Sequence, residues 1–346
     1  MILTTPLIER LAVDGPVHVL ATPANAAILA NHPAVSSIIV FDKRGADRGW
    51  RGMRRVAGAL HDTGARRAYM AQGSLRTAGI ARLAGIPERI GFDTSPGRVL
   101  YTHQVRFDAS QHHAVRLWTL ASRPSDTTLG AQQSLRPTLF PGPSDRQQVD
   151  ALLAEFRYAE GAPLVALAPG SVWATKRWPS YDELAALLVS RLAPALDDDA
   201  SRNVLRGEVR IAVIGSDNDR DLARAISAKV ASMGGARVID ATGRLSLLAS
   251  ADLIGRAAVL VTNDSAPLHL ASAMNTPTVA LFGPTVTSFG FGPLATVHRV
   301  VEQTALSCRP CGAHGPQRCP LGHWRCMRET SPMAVSDAVF PLIASR

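Results

Sequence analysis

Short apolar runs alternate with helical patterns along the second half of the chain. Most of these runs are long enough for one strand and are followed by turn residues and an amphipathic stretch. Strands that alternate with helices predict a parallel sheet with helices on both faces. The predicted strands lie at 163–170, 209–216, 237–243, 257–264 and 276–285, and the predicted helices at about 180–191, 218–233 and 266–274.

The first half of the chain shows the same alternation. It predicts strands at 17–22, 35–41 and 66–72, and helices at 52–63 and 74–84. A cluster of Pro and Gly at 141–143, followed by a helix that Ser144 could cap, separates the two halves. We therefore expect an α/β protein of two Rossmann-like, doubly wound domains. The N-terminal domain is expected at 1–140, a linker at 141–160 and the C-terminal domain at 161–346.

Length and composition agree with this division. A chain of 346 residues suits two domains better than one small module. No apolar run reaches the ~18 residues that span a bilayer, and the N-terminus lacks the basic segment and apolar stretch of a signal peptide. We therefore expect a cytoplasmic protein.

The positive charge is concentrated in the first half. Residues 1–140 contain 17 Lys and Arg against 9 Asp and Glu, whereas residues 141–346 contain 20 against 19. A field of that sign attracts anions such as a phosphorylated lipid, a membrane surface or a nucleic acid. An arginine-rich codon bias is an equal alternative, because the chain has 34 Arg and 3 Lys. No recognition-helix motif or basic, aromatic stacking surface accompanies the charge, which counts against nucleic acid.

The turn after the strand at 257–264 is the best candidate for anion binding. Ligands of open parallel sheets bind beyond the carboxyl ends of the strands, where helix N-termini present unpaired N–H groups. Asn263, Asp264 and Ser265 are good N-cap residues, and the small Ala266 lets a ligand approach the backbone. His269 lies one helical turn further on and can donate to a phosphate or a ribose hydroxyl. A plain capped helix with a packed histidine is the alternative.

The turn after the strand at 163–170 comes next. Gly170 and Ser171 follow the strand, and Lys176 and Arg177 are adjacent cations. Two cations beside a strand end suit a departing diphosphate, whose charge grows as its bond to the sugar breaks. The alternative is a solvated loop whose tryptophans pack on the domain. Weaker glycine turns elsewhere match neither GxGxxG nor GxxxxGK[ST], which counts against a dinucleotide dehydrogenase and an ATPase.

All four cysteines fall in one stretch near the C-terminal end, with the spacing C-x2-C-x7-C-x6-C. Four thiols at this spacing could close a tetrahedral, structural Zn²⁺ site, although the gaps are shorter than usual; free thiols are the alternative. A four-cysteine site leaves no open position and so argues against catalytic zinc. The residues are Cys308, Cys311, Cys319 and Cys326, in a tail at 308–326.

Taken together, these motifs resemble a known family. The segments APGSVWATKRWP, TNDSAPLHLASAMNTPTVALFGPT, CRPCGAHGPQRCPLGHWRCM and AQGSLRTAGIARLAGIPERIGF are similar to those of the lipopolysaccharide heptosyltransferases of glycosyltransferase family 9. The resemblance runs from residue 1 to about residue 330. It implies two Rossmann-like domains facing a cleft, the GT-B architecture. The C-terminal domain would bind the nucleotide sugar, ADP-heptose, and the N-terminal domain the lipid A–Kdo acceptor, with no cofactor required for catalysis.

The resemblance also implies roles for individual residues. Lys176 and Asp264 become the catalytic candidates, with Lys176 at the diphosphate. Asp219 lies near the place where the family often has an acid for the ribose. The family pattern NDSG reads NDSA here, so that a methyl group stands beside the phosphate. The other implied substrate contacts are Gly170, Ser171, Arg177, Ser265, Ala266, His269 and Gly283.

The sequence differs from the family pattern at its N-terminal end. Family members begin with a strand and a Gly-Asp pair, whose aspartate is taken as the general base, and Met1 stands where that pair has just ended. A start codon assigned too late is one explanation. The other is a degenerate paralogue that binds a nucleotide sugar without catalysis. We expect an inverting heptosyltransferase that acts on the heptose/Kdo inner core of lipopolysaccharide, peripheral to the inner membrane on its cytoplasmic side.

Overall fold

The computed structural model divides the chain into two compact units, Met1–Phe140 and Pro141–Arg346. We call them unit 1 and unit 2. The structure describes residues 1–122, 135–158, 162–195, 210–233 and 238–343.

The described residues of unit 1 contain five strands and five α-helices, which alternate except that β5 follows β4 after a short 3₁₀ helix. β1 and β2 form a two-stranded parallel sheet, and β3, β4 and β5 form a three-stranded parallel sheet. The strands are β1 (His18–Ala21), β2 (Ser37–Val40), β3 (Arg67–Tyr69), β4 (Glu88–Phe92) and β5 (His103–Val105), and the helices are α1 (Thr5–Ala12), α2 (Pro23–Ile28), α3 (Gly49–His61), α4 (Leu75–Leu83) and α5 (His113–Thr119).

The core of unit 1 follows from the helical periodicity of its apolar residues. In α3, Val56, Ala57 and Leu60 recur at helical spacing and are buried. They pack with Met70 after β3 and with Ile80 of α4 in one apolar cluster. The helices predicted at 52–63 and 74–84 are therefore confirmed as α3 and α4.

A cavity separates the two sheets of unit 1. Among the described residues, β1 pairs only with β2 and β3 only with β4, so one edge of each carries no partner strand. A cavity of about 1130 Å³ is lined by all four residues of β1 and all three of β3, together with apolar side chains of α1, α3 and α5. The strand and aspartate expected before Met1 concern residues outside this chain and stay predictions.

In its described residues, unit 2 is built on one six-stranded parallel sheet. Its strand order is β11-β10-β9-β6-β7-β8, so the chain starts in the middle of the sheet, builds outward to β8, and then returns to the other side of β6. The strands are β6 (Leu164–Ala168), β7 (Arg210–Val213), β8 (Val238–Asp240), β9 (Val259–Asn263), β10 (Thr278–Phe282) and β11 (His298–Glu302).

Seven α-helices accompany this sheet in the described part of unit 2. Every residue of β6, β9 and β10 is buried, as expected for central strands covered on both faces. Val165 and Leu167 of β6 pack in the cluster that includes α7, α8 and α12, whereas Ala280 and Phe282 of β10 pack with Leu268 of α10. The helices are α6 (Pro143–Glu155), α7 (Tyr181–Ala195), α8 (Arg220–Ala231), α9 (Leu247–Arg256), α10 (Ala266–Met274), α11 (Arg325–Arg328) and α12 (Pro332–Ile343).

The segment expected as a linker at 141–160 is largely helical. Residues 143–155 form α6, which packs against α9 within unit 2 because Val149, Leu152 and Leu153 are buried. Asp145 accepts hydrogen bonds from the Gly142 N–H and the Ser246 hydroxyl, at 2.9 and 2.7 Å. The helix expected after the Pro and Gly turn is confirmed as α6, with Gly142 and not Ser144 as its N-cap residue.

The predicted alternation of strands and helices is confirmed, and the fold class is α/β with parallel sheets. None of the helices in the described ranges combines the length and the apolarity that a membrane-crossing helix needs.

Candidate functional site

The loops after β6 and β9 lie at the point where the strand order of unit 2 reverses. These two strands are neighbours in the sheet. β6 leads to β7 on one side, whereas β9 leads to β10 on the other. The loops at their carboxyl ends therefore diverge, which is where open parallel sheets bind their ligands.

Lys176 and Asp264 form a buried ion pair across these loops. Lys176 ends the short 3₁₀ helix Ala174–Lys176, and Asp264 is the first residue after β9. Lys176 Nζ lies 2.6 Å from Asp264 Oδ2, and the residues are only 7% and 9% exposed. The Thr285 hydroxyl donates to the same oxygen at 2.7 Å. The two catalytic candidates predicted from separate motifs are thus brought into direct contact.

The loop after β6 is held by a hydrogen bond within the loop and by a buried tryptophan at its end. Arg177 Nε donates to the Ser171 carbonyl oxygen at 2.7 Å, while Arg177 itself remains exposed. Trp178 is 3% exposed, and its indole N–H donates to the Thr330 carbonyl at 2.9 Å. The buried tryptophan fixes the end of the loop, so that the cations before it are held near the switch point.

The N-terminus of α10 forms the other side of the site. Ser265 is the N-cap residue, but its side chain makes no capping hydrogen bond, and Asp264 points its carboxylate at Lys176 instead. Ala266 is exposed, and His269 is half-buried with its ring tilted at 56° to Phe291, centroids 6.4 Å apart. The first-turn N–H groups and the helix dipole favour an anion here.

Asp219 lies against Gly170 and caps the turn after β7. Its Oδ2 accepts hydrogen bonds from the Ser216 N–H and hydroxyl, both at 2.8 Å. A Cβ atom on Gly170 would lie 2.4 Å from Asp219 Oδ1, so this approach requires glycine. The structure gives Asp219 a capping role, and its contact with a ribose stays a prediction.

Gly283 has a packing role in the structure. A Cβ atom there would lie 2.8 Å from Met327 Sδ, and the Gly283 carbonyl accepts a hydrogen bond from Arg309 Nε. The residue is buried. The close approach of Met327 therefore explains the glycine, and the expected contact of Gly283 with substrate stays a prediction.

The cysteine segment shows one close pair of possible metal ligands. Cys308 Sγ lies 3.9 Å from His323 Nε2. No three His, Cys, Asp or Glu side chains form a metal-binding group within the part of the chain that the structure describes, and all four thiols are free. Burial and the neighbouring cysteines raise the pKa of Cys326 to about 11. The structural zinc site stays a prediction.

Thr285 and Arg309 hold the site together but were not singled out by the sequence, and Asn263 was expected only as an N-cap residue. Asn263 is fully buried; its Oδ1 accepts the Trp178 N–H at 3.2 Å and its Nδ2 donates to the Pro169 carbonyl at 2.8 Å. Thr285 contacts Asp264, and Arg309 binds the turn before Thr285. The only available signal was position, since Asn263 and Thr285 end two predicted neighbouring strands.

A parallel sheet of this order, with a cation and a helix N-terminus at its switch point, defines a nucleotide-binding type of α/β unit. The sequence model of "Glycosyltransferase family 9 (heptosyltransferase)" matches residues 53–193 and 200–320. The chain therefore belongs to glycosyltransferase family 9, and it is a glycosyltransferase. The resemblance recognised in the sequence is confirmed.

Individual relatives agree with this family. Lipopolysaccharide heptosyltransferase 2 of Escherichia coli K12 is 27% identical over 255 residues, which cover 72% of this chain and 68% of the relative. The structure of E. coli ADP-heptose LPS heptosyltransferase II covers 100% of this chain and 95% of its own, with a TM-score of 0.75 and 22% identity. E. coli heptosyltransferase WaaC with ADP-2-deoxy-2-fluoro heptose covers 98% and 95%, with a TM-score of 0.65 and 17% identity. The structural likenesses support the fold.

Proposed function

We propose that this protein transfers a heptose from ADP-heptose to the heptose/Kdo inner core of lipopolysaccharide, with inversion at the anomeric carbon. Unit 2 binds the donor and unit 1 the acceptor. The reaction is a direct displacement: an acceptor hydroxyl forms the new bond to the anomeric carbon, the bond to the diphosphate breaks, and ADP leaves with that electron pair.

The observation that carries this proposal is the ion pair of Lys176 and Asp264 at the switch point of unit 2. The charge of a leaving diphosphate grows as its bond to the sugar breaks, and a cation fixed in advance stabilises that charge most effectively. Asp264 holds the Lys176 ammonium in place before the donor arrives. The exposed start of α10 supplies further N–H donors on the same side.

Supporting evidence comes from the family and from a solved relative. The matching family model is described as heptosyltransferase, and one of the similar structures is a heptosyltransferase with a fluorinated ADP-heptose. The excess of basic residues lies in residues 1–140, which suits a phosphorylated, carboxylated acceptor. A lipid-anchored acceptor also supports a peripheral place on the cytoplasmic face of the inner membrane.

The attacking hydroxyl must lose a proton as the new bond forms, and a positioned base contributes typically about 10²–10⁴-fold. The resemblance assigns this role to an aspartate. Transfer is measured on the protein isolated from its own organism.

The test compares two lysine variants of that protein. Release of ADP from ADP-heptose is followed in the presence of a core-truncated lipopolysaccharide. Lys176→Met should lower kcat/KM by about 10²–10³-fold, the usual loss when one stabilising charge or donor is removed. Lys229→Met, at an exposed position of α8, is the matched control and should leave kcat/KM unchanged.

The other outcomes are equally informative. If Lys176→Met leaves kcat/KM unchanged, Lys176 has no part in the mechanism. If the unsubstituted protein binds ADP in a calorimeter but transfers no heptose, the protein is a non-catalytic nucleotide-sugar-binding protein and the proposed activity is wrong.

A further inference from the structure

The side chain of Arg309 is buried at the edge of the donor site of unit 2. It is only 5% exposed and binds the Glu302 carboxylate through Nη2 at 2.6 Å. Its remaining hydrogen bonds all go to backbone carbonyl oxygens. Nε donates to Gly283, Nη1 to Gln303 at 2.6 Å, and Nη2 to Phe282 at 3.2 Å and Thr285 at 3.0 Å.

These contacts fix the turn that follows β10. Phe282 is the last residue of β10, and it pairs with Glu302, the last residue of the neighbouring strand β11. The turn at 283–285 follows Phe282 directly. The planar guanidinium of Arg309, whose donors have a fixed geometry, binds the end of β10, the turn that follows it and the end of β11. Because an unpaired carbonyl is costly when buried, loss of this group would leave the turn free to change its backbone conformation.

The turn held by Arg309 ends at the ion pair. Thr285 is 1% exposed, and while its carbonyl binds Arg309, its hydroxyl donates to Asp264 Oδ2. The same oxygen accepts from Lys176 Nζ. Arg309 is thus connected to the donor-site cation through Thr285 and Asp264.

The residues that follow Arg309 contact the loop after β6, which carries Lys176 of the ion pair. We call residues 309–317 the bracing segment. Its Cys311 N–H donates to the Pro284 carbonyl at 2.8 Å, and the Pro316 carbonyl accepts the Thr175 hydroxyl. A Cβ atom on Gly315 would lie 3.2 Å from Thr175 Oγ1.

Two further contacts extend this side. The Gln317 side chain accepts from the Ala174 N–H at 3.1 Å and donates to the Val172 carbonyl at 3.0 Å. The His314 ring stacks on Trp173 with an interplanar angle of 8°. The bracing segment therefore contacts the β10 turn and the loop after β6, which carry the two sides of the ion pair.

We propose that Arg309 is a positioning residue of the donor site: it fixes the turn at 283–285 so that Thr285 holds Asp264 opposite Lys176. The inference rests on the proposed function for its kinetic consequence, because a displaced Lys176 no longer faces the leaving diphosphate. Geometric errors of about 1 Å in a catalytic group cost about 10²-fold in rate. Arg309 itself touches no reacting atom.

The experiment compares Arg309→Gln and Arg309→Lys with Arg318→Gln and Arg318→Lys. Arg318 is exposed in the same cysteine-containing tail, so its variants are matched controls. Arg309→Gln should lower kcat by about 10²-fold and weaken ADP binding, with the KM for the acceptor unchanged. Arg309→Lys keeps the charge but lacks the planar five-donor group, so its loss should be intermediate. The Arg318 variants should behave as the unsubstituted protein.

A variant of Thr285 separates positioning from general loss of stability. Thr285→Val removes the hydroxyl that reaches Asp264 while nearly keeping the shape of the side chain. If Arg309 acts through Thr285, the double variant of Arg309→Lys and Thr285→Val should lose no more ADP affinity than the worse single variant. Additive losses would overturn the proposal, as would an Arg309→Lys protein that binds ADP and transfers heptose normally.

A third readout does not depend on donor or acceptor. The chain has three lysines, Lys43, Lys176 and Lys229, so ¹⁵N-labelled lysine ammonium signals can be assigned with Lys43→Arg and Lys229→Arg. The Lys176 signal should be protected from exchange in the unsubstituted protein and in Arg318→Gln, and lose that protection in Arg309→Gln and in Thr285→Val. Unchanged protection in a folded Arg309→Gln or in Thr285→Val overturns the proposal. If the unsubstituted protein fails to bind ADP, the proposed function fails while this readout still decides the role of Arg309.

Discussion

Asn263 joins Trp178 to the sheet through a single side-chain amide. Its Oδ1 accepts the backbone N–H of Trp178 at 3.2 Å, and its Nδ2 donates to the Pro169 carbonyl at 2.8 Å. Asn263 of β9 therefore contacts both ends of the loop after β6, and Lys176 lies between these two ends along the chain. This amide ties the position of the cation to the register of the two central strands.

Replacement of this amide tests the connection. Asn263→Ala leaves one buried donor and one buried acceptor without their partner, so it should lower the free energy of unfolding by about 1–3 kcal/mol. Urea denaturation measures the difference. Asn218→Ala, at an exposed position of unit 2, is the control and should stay within about 0.5 kcal/mol of the unsubstituted protein. Equal effects of the two variants would show that the amide does not hold the loop.

The ion pair of Lys176 and Asp264 should behave as a coupled unit in stability. Removal of one partner leaves the other charge buried and unpaired, so Lys176→Met and Asp264→Asn should each cost up to about 3–5 kcal/mol. The double variant removes both charges and should be more stable than the sum of the single losses predicts. A double-variant cycle by urea denaturation checks this, and simple additivity would contradict a direct interaction of the two charges.

The stability of unit 1 should fall on mild acidification because of His113. Burial and the neighbouring Arg116 lower the pKa of His113 to about 4. The unfolded chain, with an ordinary histidine pKa near 6.5, therefore binds a proton between about pH 6.5 and 4 that the folded chain does not. The free energy of unfolding should decrease as the pH falls through this range, by about 3 kcal/mol in all.

His113→Gln should remove this part of the pH dependence. Denaturation midpoints of the variant and of His103→Gln, an exposed histidine of the same unit, are compared at pH 7 and pH 5. If the unsubstituted protein and His113→Gln lose the same stability between these pH values, the buried histidine does not contribute.

The four cysteines should differ in reactivity. Burial raises the pKa of the Cys319 thiol, but backbone N–H groups of residues 321–324 outweigh burial and lower that pKa below its ordinary value. The pKa of the buried Cys326 is raised to about 11. Because the thiolate reacts, Cys319 should be alkylated at least about tenfold faster than Cys326 at neutral pH. Peptide mapping after brief treatment with iodoacetamide measures the order.

The same protein tests the predicted zinc site. One Zn²⁺ per chain by atomic emission, released together with a fall in Tm when a chelator is added, would support the site of Cys308, Cys311, Cys319 and Cys326. In that case added Zn²⁺ should also protect all four thiols from alkylation. Protein purified without chelators that contains no zinc would contradict the prediction.

The sequence predicted the central part of unit 2 well, because buried parallel strands are continuous apolar runs. The helix expected at 266–274 begins and ends as predicted, and the strands at 257–264 and 276–285 contain β9 and β10. Carboxyl ends of adjacent parallel strands must lie together, so the sequence could also indicate that Asp264 belongs to a binding turn. Lys176 was indicated by its rarity as a lysine beside a strand end.

Contacts between distant segments were beyond that reasoning. The contact of Thr285 with Asp264 depends on the register of β9 and β10, and the five acceptors of Arg309 come from residues 6 to 27 positions away along the chain. β11 was missed because charged residues interrupt its apolar run. The helix α6 was expected but was placed in a linker, because the sequence does not show that its short apolar face packs against α9.

The cavity of unit 1 has a consequence for how the protein behaves when it is concentrated. Among the residues that the structure describes, one edge of β1 and one edge of β3 have no partner strand and offer backbone N–H and C=O groups beside apolar walls that include Leu7, Leu20 and Leu117. Such edges recruit further strands, whereas an edge strand that bears charges resists this. The outer strand β11 of unit 2 carries Arg299 and Glu302, and β3 carries Arg67, whereas no residue of β1 is Asp, Glu, Lys or Arg. Self-association of the chain should therefore begin in unit 1, and an extended peptide that fills the cavity should keep the protein in solution.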